Sequence, residues 1–310
     1  MCTAINYKTK HHYFGRNLDW YDSFGEEIII TPRNHEIDFR CEGLNNRHYA
    51  VIGSGIINDG YPLYFDATNE KGLSVATLNF PDNAVYTKPK KEMNNIASFE
   101  FILWVLGRCK NVTEAEKLLG TTNIMHINFS AELKNTPVHW LISDKEKSIT
   151  AEPTQEGLQI YQNPIGVLSN NPPFDIQLHN LKNYMHISAH EPEPVFAGKL
   201  KLNHCSNGMG ALGLPGDFSS QSRFVRAAFV ALNPYYAETE KESVNQFFHM
   251  LACVEQVKGC VVADEGLEHT IYSSCVNTDK GIYYKKTYDG KVKSVCMYEY
   301  DLDGKTVIIA

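Results

Sequence analysis

Cys2 is the residue whose position in the sequence most clearly predicts chemistry. If Met1 is removed, this residue carries both a thiol and a free α-amine. The ordinary pKa is about 8.5 for a thiol and about 7.7–8.0 for an α-amine, so the amine can accept the proton that the thiol loses on attack. N-terminal threonine nucleophiles are activated by their own amine in the same way. The alternative is a buried, inert cysteine, because small residues commonly follow an initiator methionine.

A second group of polar residues is predicted close to Cys2 by the segment Phe14–Asp19, FGRNLD. If residues 8–11 form a hairpin turn, this segment pairs with the strand of Cys2. Arg16 would then lower the pKa of the thiol, and Asp19 would orient the α-amine. Residues three apart point to opposite faces of a regular strand, so we expect a bend, a bulge or a loop position for Asp19. An ordinary ion pair at a strand end is the alternative.

Composition and charge restrict the class of protein. The chain has 310 residues, of which 43% are hydrophobic, and this is ample to bury a core. No repeat, low-complexity tract or long flexible linker is present, so we predict one domain over residues 1–310, with Met1 removed. The net charge of −7 and the scattered basic residues argue against nucleic acid as a partner. An anionic substrate would therefore have to be held by local groups.

The sequence indicates neither a secreted nor a membrane protein. No apolar run near Met1 has the length of a signal peptide, and none elsewhere approaches the ~18 residues of a membrane span. The eight cysteines form no CxxC pair, which argues against a disulfide framework and against a structural zinc site. We therefore expect a cytoplasmic protein with reduced cysteines and no membrane partner.

Runs of β-branched and aromatic residues predict strands through the first eighty residues, again in the middle of the chain, and at its end. Apolar spacing predicts helices at 97–108, 174–185, 219–232 and 242–257. A further helix is expected to begin at a capping box of Thr113 and Glu116 and to end at Gly120. This order of elements favours the α+β class, with two antiparallel sheets face to face in a four-layer αββα sandwich. The long loop at 187–218 is expected to be functional or to take part in assembly.

Two patterns resemble ligand sites only weakly. Residues 208–213 match GxGxxG, yet Leu214-Pro215-Gly216 follows instead of a helix, so we do not expect a dinucleotide site. His186 and His190 are four apart but lack the glutamate and the third ligand of a zinc site. We therefore predict no cofactor and no metal.

Six segments carry a more specific signal, namely MCTAI, FGRNLD, NEKGL, LNFP, LSNNP and LPGDFSSQSRFVR. In order and spacing they resemble the choloylglycine hydrolase family of N-terminal nucleophile hydrolases, and within it the bile salt hydrolases most closely. The similarity extends over essentially the whole chain. It implies the αββα fold of N-terminal nucleophile hydrolases, a cysteine amidase that needs no cofactor, and a homotetramer with residues 187–218 as a candidate for subunit contact.

The resemblance also implies the site residues, which match in chain order Cys2, Arg16, Asp19, Asn79, Asn170 and Arg223. Cys2 matches the family's nucleophile. Arg16 and Arg223 match its active-site arginines, and Asp19 matches its active-site aspartate. The two asparagines match its oxyanion and substrate-binding positions, and an amide N–H suits an oxyanion. Asn171 is the alternative to Asn170 if the register differs by one, and a turn role is the alternative for either, because Asn-Pro is an ordinary turn signal.

The residue at position 79 bears on the substrate. Bile salt hydrolases resemble one another in having asparagine there, whereas penicillin V acylases tend to have an aromatic residue. We therefore expect hydrolysis of glycine- or taurine-conjugated bile salts. The alternatives are a penicillin V or other N-acyl amide hydrolase, and a non-catalytic binder of amphipathic ligands. Thr77 departs from the family pattern, in which glycine is more usual. The steroid would contact Trp20–Phe24, Ile56–Phe65 and Phe129–Leu133, unless these segments only edge the core.

Overall fold

The computed structural model describes residues 1–310, and strands outnumber helices in it. The first nine strands are β1 (Cys2–Lys8), β2 (His12–Trp20), β3 (Glu27–Thr31), β4 (Ile37–Phe39), β5 (Gly43–Asn45), β6 (Val51–Asn58), β7 (Tyr61–Asn69), β8 (Ser74–Asn79) and β9 (Asn94–Ala97). The others are β10 (Thr122–Met125), β11 (Val138–Ser143), β12 (Ser148–Thr154), β13 (Gly157–Gln162), β14 (Val167–Leu168), β15 (Val261–Ala263), β16 (Gly266–Asn277), β17 (Ile282–Thr287), β18 (Val292–Cys296) and β19 (Ile308–Ile309). The α-helices are α1 (Phe101–Arg108), α2 (Val112–Leu119), α3 (Phe174–Asn180), α4 (Ser220–Leu232) and α5 (Glu240–Ala252).

Most strands belong to two large antiparallel sheets. Sheet A has the order β14-β1-β2-β16-β17-β18, and β15 also pairs with β16. Sheet B has the order β13-β12-β11-β8-β7-β6-β3-β19. In sheet A, β1 and β2 form the predicted hairpin, whose turn is residues 9–11. The strand that begins with Cys2 is therefore an inner strand of the sheet, flanked on both sides.

The layers follow from which elements contact one another. Strands β1 and β2 of sheet A face β7 and β8 of sheet B, while α1 packs on sheet B and α4 and α5 pack on sheet A. The four-layer αββα sandwich predicted from the order of elements is confirmed. Cys2 is 4% exposed and belongs to a core of 32 buried residues that joins both sheets with α4 and α5. Packing on all sides thus fixes the position of the residue.

The helix boundaries differ from the sequence predictions in several places. The helix expected to begin at a Thr113 and Glu116 capping box begins two residues earlier, because the Asn111 side chain caps it by accepting from the backbone N–H of Glu114 at 2.9 Å. A capping box does occur at Thr239 and Glu242, and it starts α5 at Glu240 rather than at 242. The helix predicted at 174–185 is α3 followed by a 3₁₀ turn, Leu181–Tyr184. The loop at 187–218 contains only the 3₁₀ turn Met209–Ala211.

Gly15 is required where β2 passes β16. A Cβ atom at this position would overlap the backbone carbonyl of Ser274, and backbone cannot move aside as the end of a flexible side chain can. Since Arg16 follows directly in β2, the same close approach to β16 also fixes the position of the Arg16 main chain.

We predict that Gly15→Ala destabilises the protein by about 1–3 kcal/mol, the usual cost of forcing an extra methyl group into packed structure. The control is Gly198→Ala, where a Cβ would contact nothing within 4 Å and φ is not in the left-handed region. Urea denaturation of both variants measures the free energy of unfolding. Equal stability of the two variants would contradict the prediction.

Candidate active site

Cys2 lines a cavity whose wall is mostly apolar. The cavity has a volume of about 260 Å³, and 13 of its 21 lining residues are hydrophobic. The predicted site residues that line it are Cys2, Arg16, Asp19 and Asn79. The remaining two, Asn170 and Arg223, are also buried and contact Cys2 outside the cavity. The structure therefore brings all six predicted residues together in two groups.

Arg16 contacts the sulfur atom. Its Nη2 donates to Cys2 Sγ, while Nη1 donates to the backbone carbonyls of Phe65 (3.2 Å) and Thr77. Burial by itself would lower the pKa of Arg16, but the charges of Cys2, Tyr272, Asp66 and Asp19 outweigh it and raise the pKa. The guanidinium therefore stays positive beside the sulfur atom of Cys2.

Asp19 is fully buried and lines the same cavity as Cys2 and Arg16. Its Oδ1 accepts from Thr270 Oγ1 at 2.6 Å, and its Oδ2, which has no hydrogen-bond partner, is 3.9 Å from Nη1 of Arg223. Burial raises the pKa of Asp19, against the lowering effects of Arg223 and of the chain's terminal amine. An unpartnered, fully buried carboxylate oxygen is costly, so we expect a donor to occupy it in the working protein.

The irregularity expected near Asp19 is a bulge in the pairing of β2 with a neighbouring strand. The pairing of β2 with β1 is regular, with Cys2 opposite Leu18. The irregularity lies in the other neighbour, β16, between Thr270 and Tyr272. Arg16 contacts the sulfur of Cys2, and Asp19 lines the same cavity.

The backbone nitrogen of Cys2 is already held by side chains. It donates to Asn170 Oδ1 at 2.7 Å, and the same oxygen accepts from Nη2 of Arg223 at 2.8 Å. Met1 is present in the structure, and its amine donates to the backbone carbonyl of Asp19 at 2.9 Å and to the Glu268 carboxylate. While Met1 is attached, the Cys2 nitrogen is an amide without basicity. Removing Met1 would convert it into an amine at the same position.

Asn170, and not Asn171, is the asparagine at the site. Its Nδ2 donates to the backbone carbonyl of Asn79 at 2.6 Å, whereas Asn171 donates to the backbone carbonyl of Pro81 at 2.8 Å. Arg223, from α4, also donates to the backbone carbonyl of Cys2. Asn170 and Arg223 therefore hold the main chain of Cys2 rather than the contents of the cavity.

Asn79 ends β8 at the cavity, and its Oδ1 is buried without a partner. Thr77, the departure from the family pattern, lies in regular pairing with Trp140 and also lines the cavity. The three segments predicted to form the apolar wall do line it, through Trp20, Phe24, Ile56, Leu63, Tyr64, Phe65, Phe129 and Leu133.

Several functional contacts were missed by sequence reasoning. Thr270 donates to Asp19, and Ser220 Oγ accepts from the backbone N–H of Asn170 at 2.8 Å. The charge of buried Asp66 helps to raise the pKa of Arg16. A carboxylate inside the apolar run of β7 was the one signal available for Asp66. The other two residues belong to elements distant in sequence, and serine and threonine are too common to be singled out.

The weak patterns do not gather into sites. Residues 208–213 contain only a short 3₁₀ turn, and α4 begins seven residues later at Ser220. The structure has no group of three or more His, Cys, Asp and Glu side chains that could hold a metal ion. None of the five helices combines the length and the apolar composition needed to cross a membrane.

Comparison with known proteins identifies the family of this chain. The family model described as linear amide C–N hydrolases, choloylglycine hydrolase family, matches residues 2–310. The chain belongs to the choloylglycine hydrolase family. Among similar members, the bile salt hydrolase/transferase of Lactiplantibacillus plantarum is 50% identical, covering 99% of this chain and 96% of that protein. The bile salt hydrolase/transferase of Clostridium perfringens is 39% identical, covering 99% and 95%.

Two solved structures are similar to this chain. A variant of the conjugated bile acid hydrolase from Clostridium perfringens superimposes with a TM-score of 0.92 at 37% identity, covering 100% of this chain and 96% of that one. Penicillin V acylase from Agrobacterium tumefaciens has a TM-score of 0.79 at 21% identity, covering 99% and 90%. The second comparison supports only the shared αββα fold. The chain is thus a linear amide C–N hydrolase with the fold of N-terminal nucleophile hydrolases.

We predict that Asn170→Ala lowers kcat/KM for amide hydrolysis by about 10²-fold or more, because it leaves the Cys2 nitrogen and Arg223 without their shared acceptor. The matched control is Asn171→Ala, which removes only a bond to a backbone carbonyl. Steady-state kinetics on both variants test this. A larger loss in the Asn171 variant would mean that the register is wrong.

Asp19 gives a prediction with opposite effects on activity and stability. Because burial raises its pKa above the ordinary 3.8, keeping it ionised costs stability at any pH above the raised value. This cost disappears as the pH falls through the raised pKa toward 3.8. Asp19→Asn should therefore increase the melting temperature at pH 7, by an amount that shrinks toward pH 4, while hydrolysis is lost.

Thermal unfolding of the wild type and the variant between pH 4 and pH 7 measures this effect. The control is Asp289→Asn, because hydrogen bonds from Lys291 and Thr287 lower the pKa of the exposed Asp289 carboxylate to about 2. That substitution should not raise the melting temperature. A less stable Asp19 variant at pH 7 would contradict the prediction.

Proposed function

We propose that the protein is a cysteine amidase that hydrolyses the amide bond of glycine- or taurine-conjugated bile salts. The observation that carries the proposal is the contact between the Cys2 sulfur and the Arg16 guanidinium in an apolar cavity that also contains Asn79. The relatives named above, of which one is 50% identical over nearly the full chain, support the substrate class.

The proposed reaction begins once Met1 has been removed. The Cys2 thiol gives its proton to its own α-amine, and the thiolate attacks the amide carbon of the substrate. Negative charge moves to the carbonyl oxygen, where the Asn79 amide donates a hydrogen bond. Collapse of the intermediate breaks the C–N bond as the ammonium returns its proton to the leaving nitrogen. The products of this half-reaction are glycine or taurine and a thioester.

Water completes the cycle. The α-amine takes a proton from water as the oxygen attacks the thioester carbon, the C–S bond breaks, and the sulfur is reprotonated. Bile acid leaves the cavity. No step requires a metal or an organic cofactor. Because the amine acts as base and acid in turn, its exact position matters in both halves of the reaction.

The buried groups have separate roles in this scheme. Arg16 favours the thiolate, and Asn79 donates to the oxyanion, which is typically worth about 2.7–4 kcal/mol of transition-state stabilisation. Asp19 and Asn170 accept from the α-amine and orient it. Arg223 neutralises Asp19 and holds both the Asn170 amide and the Cys2 carbonyl. The unpartnered Oδ2 of Asp19 is available to the new amine.

The cavity suits an amphipathic substrate. Its aromatic wall, in which the rings of Phe24 and Phe65 are 5.1 Å apart, can bury a steroid. Lys134 also lines the cavity and is exposed, so it can attract the anionic end of a conjugate. A local cation is needed because the net charge of −7 repels anions at long range.

The experiment is a side-by-side assay of glycocholate, taurocholate and penicillin V, with the intact mass of the same sample. We expect a mass without Met1 and faster cleavage of at least one conjugate than of penicillin V. Retention of Met1 in an active sample would contradict the mechanism. Much faster cleavage of penicillin V would make the protein an acylase of that class. Binding of conjugates without turnover in a sample that lacks Met1 would make it a binder.

We also propose that the working form is a homotetramer and that the loop at 187–218 contributes to subunit contact. Its support is exposed apolar surface, with Val195 at 88% and Phe196 at 84% exposure. Apolar side chains this exposed on a single chain mark an interaction surface.

We propose in addition that the chain forms one functional domain and that the protein is cytoplasmic. The location is supported by eight cysteines that are all unpaired, as is typical of a reducing compartment.

For the assembly, we predict that Val195→Glu combined with Phe196→Glu lowers the molar mass in solution below four chains. Charges buried at an apolar contact are strongly unfavourable, which weakens association. Light scattering after size exclusion measures the mass. Val292→Glu, at an exposed apolar residue in β18, is the control and should leave the mass unchanged. A wild-type monomer would refute the tetramer.

A further inference from the structure

A buried carboxylate joins the two sheets behind the active site. Asp66, in β7 of sheet B, is 1% exposed and accepts hydrogen bonds from three hydroxyl groups of sheet A. Tyr272 Oη lies 2.6 Å from Oδ1, and Tyr283 Oη and Ser274 Oγ lie 2.6 Å and 2.9 Å from Oδ2. Three donors aimed at one side chain match an ionised, acceptor-only carboxylate. None of these residues lines the cavity.

The first connection from Asp66 to the active site is through Ser274. The Ser274 hydroxyl donates to Asp66 and accepts from the backbone N–H of Arg16 at 3.1 Å. One oxygen atom therefore links the carboxylate to the main chain of the arginine. This contact adds to the strand pairing at Arg16, whose main-chain position is also fixed by the close approach at Gly15.

The second connection is through a bulge in β7. Ser54 pairs with Asp66, and the next residue of β6 pairs with Tyr64, so Phe65 is the extra residue. A bulged residue lies outside the ladder and its groups are directed elsewhere. The Phe65 carbonyl accepts from Nη1 of Arg16 at 3.2 Å, and the Phe65 side chain lines the cavity. The three hydroxyls that hold Asp66 fix one end of this bulge.

We propose that Asp66 is a positioning residue for the reaction: it fixes both the main chain and the guanidinium of Arg16, and through Arg16 it sets the ionisation of the Cys2 thiol. The proposal rests on the thiolate role given to Cys2 above. It adds a residue of the opposite sheet that touches neither substrate nor Cys2. Burial raises the pKa of Asp66, whereas the Arg16 charge and the three hydroxyl donors lower it. The pKa remains above its ordinary value.

The direction of one measurable effect separates positioning from charge. Replacing Asp66 by asparagine removes a negative charge close to Arg16, and by itself this would lower the pKa of the thiol, because less negative charge opposes the thiolate. Loss of the arginine's position has the opposite effect, because the thiolate then loses its cation. Positioning therefore predicts a rise in the thiol pKa of Asp66→Asn.

The experiment measures the pH dependence of Cys2 alkylation by iodoacetamide in the full chain lacking Met1. Alkylation is followed at the N-terminal peptide by mass spectrometry, because Cys41, Cys205, Cys253 and Cys260 are exposed and also react. In Asp66→Asn we expect the midpoint to move to higher pH. We also expect kcat to fall by about tenfold or more while KM changes by less than about threefold, since Asp66 itself does not line the cavity. An unchanged or lower midpoint overturns the proposal.

A double-variant comparison tests whether Asp66 acts through Arg16. In an Arg16→Leu background, adding Asp66→Asn should change the Cys2 alkylation rate by less than about twofold, because the intermediate group is gone. If the double variant instead lost alkylation rate by the product of the two single effects, Asp66 would act independently of Arg16, and the proposal would be overturned. The control for general destabilisation is Asp144→Asn, a buried carboxylate that accepts only from the backbone N–H groups of residues 112, 146 and 147. It should leave the midpoint unchanged.

Ser274→Ala covers the case in which the Asp66 variant fails to fold. It keeps the carboxylate and removes only the first connection, so a smaller rise in the midpoint is expected; no rise overturns that connection and the proposal with it. Alkylation needs no substrate, so the outcome is independent of the substrate assay. A wild-type Cys2 with the midpoint of an ordinary thiol would instead refute the thiolate role in the proposed function.

Discussion

The contact between the Arg16 guanidinium and the Cys2 sulfur is the interaction on which the rest of the site depends. It requires a fully buried cation between two sheets, which is unfavourable unless every N–H is satisfied and the charge is balanced. The carbonyls of Phe65 and Thr77 provide the acceptors from sheet B, and Asp66 provides balancing charge. The αββα architecture is thus more than a scaffold, because its two sheets, packed face to face, enclose Arg16 between them.

The site separates the two halves of one residue. The sulfur of Cys2 is exposed to the cavity and to Arg16, while its nitrogen and carbonyl are held by Asn170 and Arg223 from the other side. In a nucleophile that is its own base, the amine must reach the reacting proton without occupying substrate space. Asn170 and Arg223 help to satisfy both demands because they hold this main chain from outside the apolar cavity. Stability is lost in return, since Asp19 and Arg223 are both fully buried charges.

Sequence reasoning predicted the sandwich, four helices to within a few residues, and the six residues that gather at Cys2. These succeed because strand patterns, helix periodicity and family motifs are local properties of the chain. Its errors have a common physical cause. The start of α2 depends on a side-chain bond from Asn111, and the bulge near Asp19 belongs to β16, whose residues are some 250 positions away. Competition between caps and pairing with a distant strand are not encoded in the local pattern.

By itself, the sequence determined the chemistry: a cysteine that becomes N-terminal on loss of Met1, with arginine, aspartate and asparagines in the family's order. The tertiary structure alone decided how these groups divide the work. In the folded chain the sulfur contacts Arg16, and the nitrogen donates to Asn170 rather than to Asn171. Thr270 donates to Asp19, and Asp66 accepts from Ser274 behind the site. The reason is that hydrogen bonding and charge balance act over a few ångströms in space. The six matched residues span more than two hundred positions, so only folding could bring their partners within that distance.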